Sequence, residues 1–565
     1  MHIQFFSPAS NVWAHSYPES LLMRYLSENG HVTSRVSCNG VFQTSCPAFN
    51  ELGVTNTREN AAKLAICRSC KKRRNLLEQR FDYVSTFLDD VVTTAVLNQV
   101  ENLVESVNPT NWSKFCFNGV AFGKLASYEF SLHHKDVNQI LSTERFPEYL
   151  NYLRTTLISY LGGIEVLTSS KPDVVVLYNS LYSINAGYEQ AALKLGIATY
   201  TVQGGPHLVD RSKTLIMYRS IKDQFRLPQS NSWKEYSKKP LSENRVAEVN
   251  RHLHALLDGA APWAYSAPIG SKNANKFPKN SILILTSSED ELAAGRLVDA
   301  YPELPFEEGF SSQTDWLKSI IEIARKMDHL NFIVRVHPRM SPNKRDSKTA
   351  PFIQVIDKLI ANSPPNVFLN LPKDNISLYE LINNVSLALN YSSSAGVEFL
   401  CFGVPVINAI SQDFIVAPMD ICLYAKNRFE LEQQILRQYG SDFNVNHAVN
   451  AFRWFSFQFN RSARFVFANN TLSFIQIRPK KTGVRLKLWN IAVRLVVTRF
   501  SLILERRQIK ITKSYFAELK DFQTVLENKL SGLHEIERVT ETAMSDDLIY
   551  VTESIQILRR KITTI

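Results

Sequence analysis

The sequence predicts an α/β protein in which two Rossmann-like domains face a cleft and a helical C-terminal extension follows them. Three observations predict this class. Short apolar runs alternate with helical patterns in two successive series, a Pro-, Lys-, Asn- and Ser-rich stretch at 261–280 separates the series, and the alternation stops near residue 470. The predicted limits are therefore 1–270 for the first domain, 278–470 for the second and 471–565 for the extension.

The first domain opens with a strand, a helix and a second strand. The apolar run HIQFF precedes a pattern of helical spacing and then the alternating run HVTSRVSC. Residues 80–165 are mainly helical in pattern and are interpreted as an insertion. The run at 173–180 predicts a buried strand, 189–196 a helix, and 197–205 a further strand.

The second domain repeats the alternation. Strand-like runs occur at 281–288, 331–338, 366–370, 386–394 and 404–409, with helical patterns between them. Ligands of open α/β sheets bind outside the carboxyl ends of the strands. The polar residues that follow these runs are therefore the candidate site.

Polar clusters follow three of these strands: TSSEDE from Thr286, VRVHPR around His337, and YSSS from Tyr391. Serines at a helix N-terminus favour an anion, and arginines beside a histidine add cationic donors. Glu398 follows one helical turn after the serines, where it suits ribose hydroxyl groups. Each feature alone also fits a helix cap, a turn or a solvated charge. Together they predict a nucleotide site made of Ser287, Ser288, Glu289, Arg335, Arg339, Ser392, Ser393, Ser394 and Glu398.

Cys38, Cys46, Cys67 and Cys70 form a second constellation. Four thiols, two of them in a C-x-x-C pair, predict a structural zinc site. Separate free or buried thiols and redox chemistry remain alternatives, because seven residues separate the first pair. Seven basic residues and one acidic residue occur within 63–80 beside the thiols, and this charge has no assigned role.

The net charge of +11 is concentrated in two segments, since 478–510 alone holds ten Lys or Arg and one Glu. This second segment has a polar stripe on a mainly apolar helix, which predicts a helix lying on the inner membrane surface, with packing on the protein core as the alternative. Leucine spacing at 511–565 predicts self-association. Without a signal peptide or a long apolar run, the expected localisation is cytoplasmic and peripheral on the membrane. A nucleic-acid partner is not expected.

The segment DNISLYELINNVSLALNYSSSAGVEFLCFGVPVINA resembles the donor-binding domain of GT-B glycosyltransferases, and the chain start is similar to their acceptor-side domain. VRVHPR resembles the His-Pro motif of bacterial sialyltransferases and capsule-type Kdo transferases, which use CMP-activated acidic sugars. The resemblance implies that His337 assists departure of the nucleotide phosphate. It also implies that Ser392 to Ser394 bind this phosphate and that Ser287, Ser288 and Glu398 line the nucleotide site.

The expected function is transfer of a sugar from a nucleotide donor to a lipid-linked or growing surface glycan. A general base should come from the first domain, where His15 and His207 are favoured by position over Glu189 and Asp210. Gly204 and Gly205 should allow a ligand to approach the backbone closely. No Asp-x-Asp occurs, so metal-independent chemistry is expected. The alternatives are a polymer glycerophosphotransferase, a nucleotide-sugar epimerase and a non-catalytic scaffold that recruits partners to the membrane.

Overall fold

A computed structural model describes residues 1–51, 54, 60–211, 214–259, 265–270, 276–302, 309–342, 348–411, 416–464 and 543–563. It confirms the predicted class, because the chain forms two mainly parallel sheets with helices between the strands. Contacts group the described chain into two units. The first contains Met1–Gly205, Asp210–Asp223 and the strand at 462–464, and the second contains Pro206–Val209, Gln224–Arg461 and the helix at 543–563.

Thirteen strands are described, numbered in chain order. They are β1 His2–Phe6, β2 Val32–Ser37, β3 Ser85–Phe87, β4 Val174–Tyr178, β5 Ala198–Gly204, β6 Thr214–Tyr218, β7 Ser281–Leu285, β8 Phe332–Arg335, β9 Val367–Asn370, β10 Val385–Asn390, β11 Val406–Ala409, β12 Leu423–Ala425 and β13 Ser462–Arg464.

The first sheet has seven strands in the order β13-β6-β5-β4-β1-β2-β3. All neighbouring pairs are parallel except β5 with β6 and β6 with β13. The second sheet has six parallel strands in the order β12-β11-β10-β7-β8-β9. The chain runs outward in opposite directions from β1 and β4 in the first sheet and from β7 and β10 in the second. These pairs are therefore the topological switch points, where ligands of such sheets bind.

Seventeen α-helices are described, again numbered in chain order. They are α1 Trp13–Glu28, α2 Pro47–Glu51, α3 Asn60–Phe81, α4 Thr94–Glu105, α5 Phe122–His134, α6 Phe146–Ser170, α7 Ser183–Lys194, α8 Ile221–Arg226, α9 Asn231–Tyr236, α10 Glu243–Leu257, α11 Glu289–Leu297, α12 Gln313–Lys326, α13 Phe352–Ala361, α14 Ala395–Cys401, α15 Arg428–Gln438, α16 Val445–Asn460 and α17 Ala543–Thr563.

Local sequence explains these elements, and α12 is a clear example. Ser312 caps its N-terminus by accepting a hydrogen bond from the backbone N–H of Asp315 at 3.1 Å. Its apolar residues recur at helical spacing, so Trp316 and Ile320 are buried against the second sheet. Strand β7 is buried along its whole length, as expected for a central parallel strand with helices on both faces.

Helices α9 and α10 lie within the range that the sequence assigns to the first domain. By their contacts they belong to the second unit, where Trp233, Leu253 and Leu257 lie in one core cluster with Leu283 of β7. Amphipathic helices carry no signal in their own sequence for which sheet they cover. The predicted limits at 270 and 278, and the cleft between the domains, stay predictions.

The C-terminal extension is described only at 543–563. There α17 packs into the second unit: Val551, Leu558 and Ile562 lie in its core, and Asp547 forms a buried ion pair with Arg453 at 2.6 Å. This part of the segment predicted for self-association therefore contacts its own unit. The predicted membrane helix at 478–510 and the leucine pattern before residue 543 lie outside the described residues. Within the described ranges, no helix combines the length and apolar character that crossing a membrane requires.

Candidate nucleotide site

The structure brings three of the predicted polar clusters together at the carboxyl edge of the second sheet. Strands β7 and β10 are the switch-point pair, and β8 lies beside β7. The loop after β7 begins with Thr286, the loop after β8 carries His337, and the loop after β10 carries Ser392 to Ser394. The loops that carry Thr286 and Ser392, about a hundred residues apart, therefore meet at one edge of the sheet, and their role as a ligand site stays a prediction.

Hydrogen bonds join the three loops. The Ser287 hydroxyl donates to the backbone carbonyl of Ser392 at 3.0 Å, which links the loops after β7 and β10. The backbone N–H of His337 donates to Thr286 Oγ1 at 2.8 Å, which links the loops after β7 and β8. The backbone N–H of Ser287 also donates to Oε1 of Gln313 at 2.6 Å. These bonds hold the three loops in one arrangement.

His337 has a defined tautomer in this arrangement. Its Nδ1 accepts a hydrogen bond from the backbone N–H of Arg339 at 3.2 Å, so the ring proton of the neutral imidazole is on Nε2. The ring of Tyr265 meets the imidazole edge-on, with centroids 5.8 Å apart. An Nε2–H group is a suitable donor for a phosphate oxygen.

Arg339 is paired with carboxylates of α11. Its Nε and Nη2 donate to Oδ2 of Asp290 at 2.9 and 2.8 Å, and Nε lies 3.6 Å from Glu291. Burial alone would lower the pKa of Arg339, but Glu291 and Asp290 outweigh it and raise that pKa. The positive charge of this predicted phosphate donor is therefore largely neutralised inside the protein.

Arg335 lies deeper than the sequence predicts. Its side chain is buried and donates to Oδ1 of Asn370, at the end of the neighbouring strand β9. Burial lowers the pKa of Arg335 to about 10, while Asp374 and Tyr379 act in the opposite direction. This hydrogen bond links the ends of the neighbouring strands β8 and β9. A role for Arg335 in binding a nucleotide stays a prediction.

The serine-rich turn and Glu398 lie at the start of α14. Glu398 is buried; its carboxylate accepts hydrogen bonds from the Tyr379 hydroxyl at 2.9 Å and from the Ser394 hydroxyl at 3.2 Å. Burial raises the pKa of Glu398, although both hydrogen bonds oppose that shift. Ser392 has φ of 49°, a left-handed conformation that turns the chain sharply between β10 and α14. Ser394 is exposed and Ser393 is half-buried.

Two predicted residues contribute to the scaffold. Ser288 is buried and donates to Oδ1 of Asp290 at 2.8 Å, and Glu289 accepts from Nε2 of Gln313 at 3.0 Å and pairs with Arg296 at 3.2 Å. Sequence reasoning missed Gln313 and Tyr379. Both are ordinary residues of helical segments, and only their position in space connects them to the loops.

In the first unit, the switch point between β1 and β4 holds His15. Its imidazole stacks on Tyr178 at the end of β4, with ring centroids 3.7 Å apart. Burial and Arg211 lower the pKa of His15 to about 3, so the ring is neutral at physiological pH. Gly204 donates its N–H to the Tyr178 hydroxyl at 2.9 Å, and a Cβ at Gly204 would lie 3.1 Å from Cγ of Arg211.

The other candidate bases differ in their surroundings. His207 belongs to the second unit, where its buried imidazole bonds through Nε2 to the carbonyl of Glu248 at 3.1 Å. Glu189 is half-buried, and burial raises its pKa to about 7 against the opposing effects of a Ser180 hydrogen bond and Lys222. Asp210 is buried, and its backbone carbonyl accepts a hydrogen bond from the Thr214 hydroxyl at 3.0 Å. The N–H of Gly205 donates to the carbonyl of Thr214 at 3.1 Å.

The four predicted zinc ligands lie in the first unit as free, half-buried thiols. Burial raises the pKa of Cys38 to about 12 and that of Cys67 to about 11. In the described part of the chain, ligand atoms within 4.8 Å of one another occur in two other groups, one of which is His133, His134 and Glu148.

No family model matches this chain, and no curated protein does. Solved structures share low similarity with it. The UDP-GlcNAc 2-epimerase of Methanocaldococcus jannaschii is 14% identical, with a TM-score of 0.27 over 80% of this chain and 98% of that chain. The beta Kdo 2,4 transferase KpsC of Thermosulfurimonas dismutans is 14% identical, with a TM-score of 0.29 over 50% and 79%. A glycosyltransferase from Rickettsia africae is 10% identical, with a TM-score of 0.29 over 81% and 95%. Similarity at this level establishes no activity or substrate.

Proposed function

We propose that this chain is a glycosyltransferase of the GT-B type that moves a sugar from a nucleotide donor to a lipid-linked or growing bacterial surface glycan. One observation carries the proposal: hydrogen bonds join the serine and threonine hydroxyls after β7 to the backbone of the loop after β10 and to the backbone of His337 after β8, beside the switch point of the second sheet. This position is where open α/β sheets bind nucleotides. Nucleotide-activated glycerol and a nucleotide-activated sugar would both place a phosphate against these groups.

A CMP-activated acidic sugar is the favoured donor. Arg339 is paired with Asp290, and Arg335 donates to Asn370, so serine hydroxyls and His337 supply the donors at this edge. A nucleoside monophosphate carries one phosphate and needs fewer cationic partners than a nucleoside diphosphate. This sparing use of positive charge supports a monophosphate leaving group.

In the proposed reaction, the bond between the anomeric carbon and the phosphate oxygen breaks, and CMP leaves with the electron pair. The acceptor oxygen forms the new glycosidic bond and releases its proton to a base. His337 would donate its Nε2–H to the departing phosphate, and Ser393 and Ser394 would bind the other phosphate oxygens. Fixed donors aimed at developing charge are the usual source of the largest rate effect.

Glu189 is one candidate for the general base, beside His15, His207 and Asp210. A base works best when its pKa is close to the operating pH, and the pKa of Glu189 is raised to about 7. His15, with a pKa of about 3, is a much weaker base. If Glu189 accepts the acceptor proton, Glu189→Gln lowers kcat and removes the acidic limb of the pH–rate profile. Retention of that limb would eliminate this assignment.

A thermal-shift screen with CMP, UDP, GDP and CDP-glycerol tests the donor class. We expect CMP to raise the melting temperature of the wild type and Ser393→Ala to weaken that shift. In a separate activity assay, His337→Ala should lower turnover by about 100-fold or more. His329→Ala is the matched control, because this histidine of the same unit is 70% exposed. The transferase proposal fails if no nucleotide stabilises the wild-type protein.

The same screen separates the alternatives. Stabilisation by CDP-glycerol alone, with transfer of glycerol phosphate, indicates a polymer glycerophosphotransferase. Interconversion of a UDP-sugar without an acceptor indicates an epimerase, and membrane recruitment without nucleotide binding indicates a scaffold. The proposed chemistry is metal-independent, so added Mg²⁺ or Mn²⁺ should leave the rate unchanged.

Association with the inner membrane surface through 478–510 is a further part of the proposal. The test replaces basic residues of this segment by glutamate and measures flotation with anionic liposomes. Deleting 478–565 is a poorer test, because Val551 and Leu558 of α17 lie in the core of the second unit. Flotation that is unchanged by the charge reversals would exclude the interfacial helix.

A further inference from the structure

Asn390 is the last residue of β10 and precedes the serine-rich turn of the candidate nucleotide site. Its side chain is completely buried. The amide nitrogen Nδ2 donates to the backbone carbonyl of Ser393 at 3.0 Å and to Oδ1 of Asn408 at 2.8 Å. A backbone carbonyl can only accept, so the amide nitrogen must face Ser393. One hydrogen atom of this amide therefore bonds the turn, and the other bonds the neighbouring strand β11.

A second buried amide extends this link across the sheet. Asn408 lies in β11, and its Nδ2 donates to Sγ of Cys422 at 3.0 Å. Cys422 is itself buried and directly precedes β12. The serine-rich turn is therefore tied through two amide groups to strands β11 and β12, which are parts of the rigid sheet.

The turn that Asn390 bonds is sharp and closely packed. Ser392 has φ of 49°, a left-handed conformation that residues other than glycine adopt only when surrounding contacts hold it. The Ser393 carbonyl accepts from the Asn390 amide and also from the backbone N–H of Gly396 at 3.2 Å. Gly396 leaves room for this arrangement, because a Cβ there would lie 2.5 Å from Nδ2 of Asn390. The position of the turn therefore depends on the Asn390 side chain.

The serine hydroxyl groups follow the backbone of this turn. Oγ of Ser393 accepts from the backbone N–H of Ala395 at 3.4 Å, and the Ser394 hydroxyl donates to Oε1 of Glu398 at 3.2 Å. A serine side chain has one rotatable bond between backbone and oxygen, so a shift of the turn moves the hydroxyl with it. In an active site, a misplacement of about 1 Å can lower the rate by about 100-fold.

We propose that Asn390 is a positioning residue of the candidate nucleotide site, which fixes the turn at Ser392 to Ser394 so that the serine hydroxyl groups are held for the donor phosphate. Asn390 is buried and acts only through the turn. The inference rests on the proposed function for the identity of the ligand, whereas the dependence of the turn on Asn390 can be measured without any ligand.

Asn366 offers a matched control in the same unit. It is also buried, and its Nδ2 donates to three backbone carbonyls, those of Ala324, Met327 and Leu330, at 3.0, 3.1 and 2.7 Å. In both asparagines Oδ1 is buried without a hydrogen-bond partner among the residues that the structure describes. Asn366 directly precedes β9, so it lies at the amino edge of the sheet, opposite the serine-rich turn.

The test compares Asn390→Ala with Asn366→Ala in the full-length chain, by scanning calorimetry and by calorimetric titration with CMP. We expect both variants to lower Tm, since each loses buried hydrogen bonds, and only Asn390→Ala to weaken CMP binding by at least about tenfold. Asn408→Ala removes one of the two Asn390 bonds and should weaken binding by about threefold, which keeps the test open if Asn390→Ala does not fold. Equal CMP affinities in the wild type and the Asn390 and Asn408 variants, or an equal loss in the Asn366 variant, would overturn the inference.

Hydrogen exchange without nucleotide separates this inference from the proposed function. Backbone amides at 391–396 should exchange at least about tenfold faster in Asn390→Ala than in the wild type, and at an unchanged rate in Asn366→Ala. Unchanged exchange in Asn390→Ala refutes the positioning role even if CMP binds. A wild type that binds no nucleotide refutes the proposed function, and faster exchange confined to the turn would then still establish that Asn390 fixes it.

Discussion

Replacing Asp290 by asparagine tests whether its ion pair with Arg339 holds the candidate nucleotide site together. The Asp290 side chain is fully buried and that of Arg339 is 14% exposed. Breaking a buried ion pair from one side costs about 3–5 kcal/mol, because the other charge loses its compensation. Glu291, 3.6 Å from Arg339 and 47% exposed, recovers about 1 kcal/mol at most. We expect Asp290→Asn to lower the free energy of unfolding of the second unit by about 2–4 kcal/mol.

Scanning calorimetry of the full chain measures this change. A domain of this size loses about 2–4 °C in Tm per kcal/mol, so the transition of the second unit should fall by about 4–16 °C. Glu289→Gln is the matched control: its pair with Arg296 has side chains 22% and 35% exposed and should contribute less than about 1 kcal/mol. If Asp290→Asn behaves like this control, the pair does not stabilise the site and the argument is wrong.

Three further predictions concern other parts of the chain. Asp547→Asn breaks the buried ion pair with Arg453 that anchors α17, and it should lower the free energy of unfolding measured in urea by about 3 kcal/mol. Asp258→Asn breaks an exposed pair and should lower it by less than about 1 kcal/mol. Gly396→Ala places a Cβ 2.5 Å from Nδ2 of Asn390, so it should lower the free energy of unfolding by about 1–3 kcal/mol. It should also weaken nucleotide binding measured by calorimetry, and an unchanged affinity would contradict this. Burial raises the pKa of Glu19 from 4.5 to about 7, so the folded state favours the protonated carboxyl. The contribution of this group to the free energy of unfolding is therefore complete below pH 4.5 and is lost as the pH rises through 7. Glu19→Gln should remove up to about 3 kcal/mol of that pH dependence, and an unchanged slope would exclude Glu19 as its source.

Much of the fold was predictable because the signals are local. The runs at 173–180, 281–288 and 331–338 correspond to β4, β7 and β8, since a central parallel strand must be apolar along its length. The short strands β3 and β12 were missed because three residues carry no clear alternation. Strand β13 was missed because its pairing with β6 joins residues far apart in the sequence.

The candidate site was predictable in its position but not in its internal bonding. Polar clusters after β7, β8 and β10 had to meet, because parallel neighbouring strands end at one edge. Nothing in the local pattern indicated that Arg339 pairs with Asp290 or that Arg335 faces Asn370. Arginine side chains are long, and only the surrounding structure determines which acceptor they reach.

The sequence by itself determined the two α/β series and the strand ends that carry hydroxyl groups and His337. These follow from spacing along the chain, which periodicity and turn residues report directly. Tertiary structure alone decided that α10 and α17 pack with the second sheet and that Asp290 neutralises Arg339. Those outcomes depend on distances through space between residues far apart in the chain. Because the contacts are buried, losing one partner of such an ion pair lowers the free energy of unfolding by several kcal/mol.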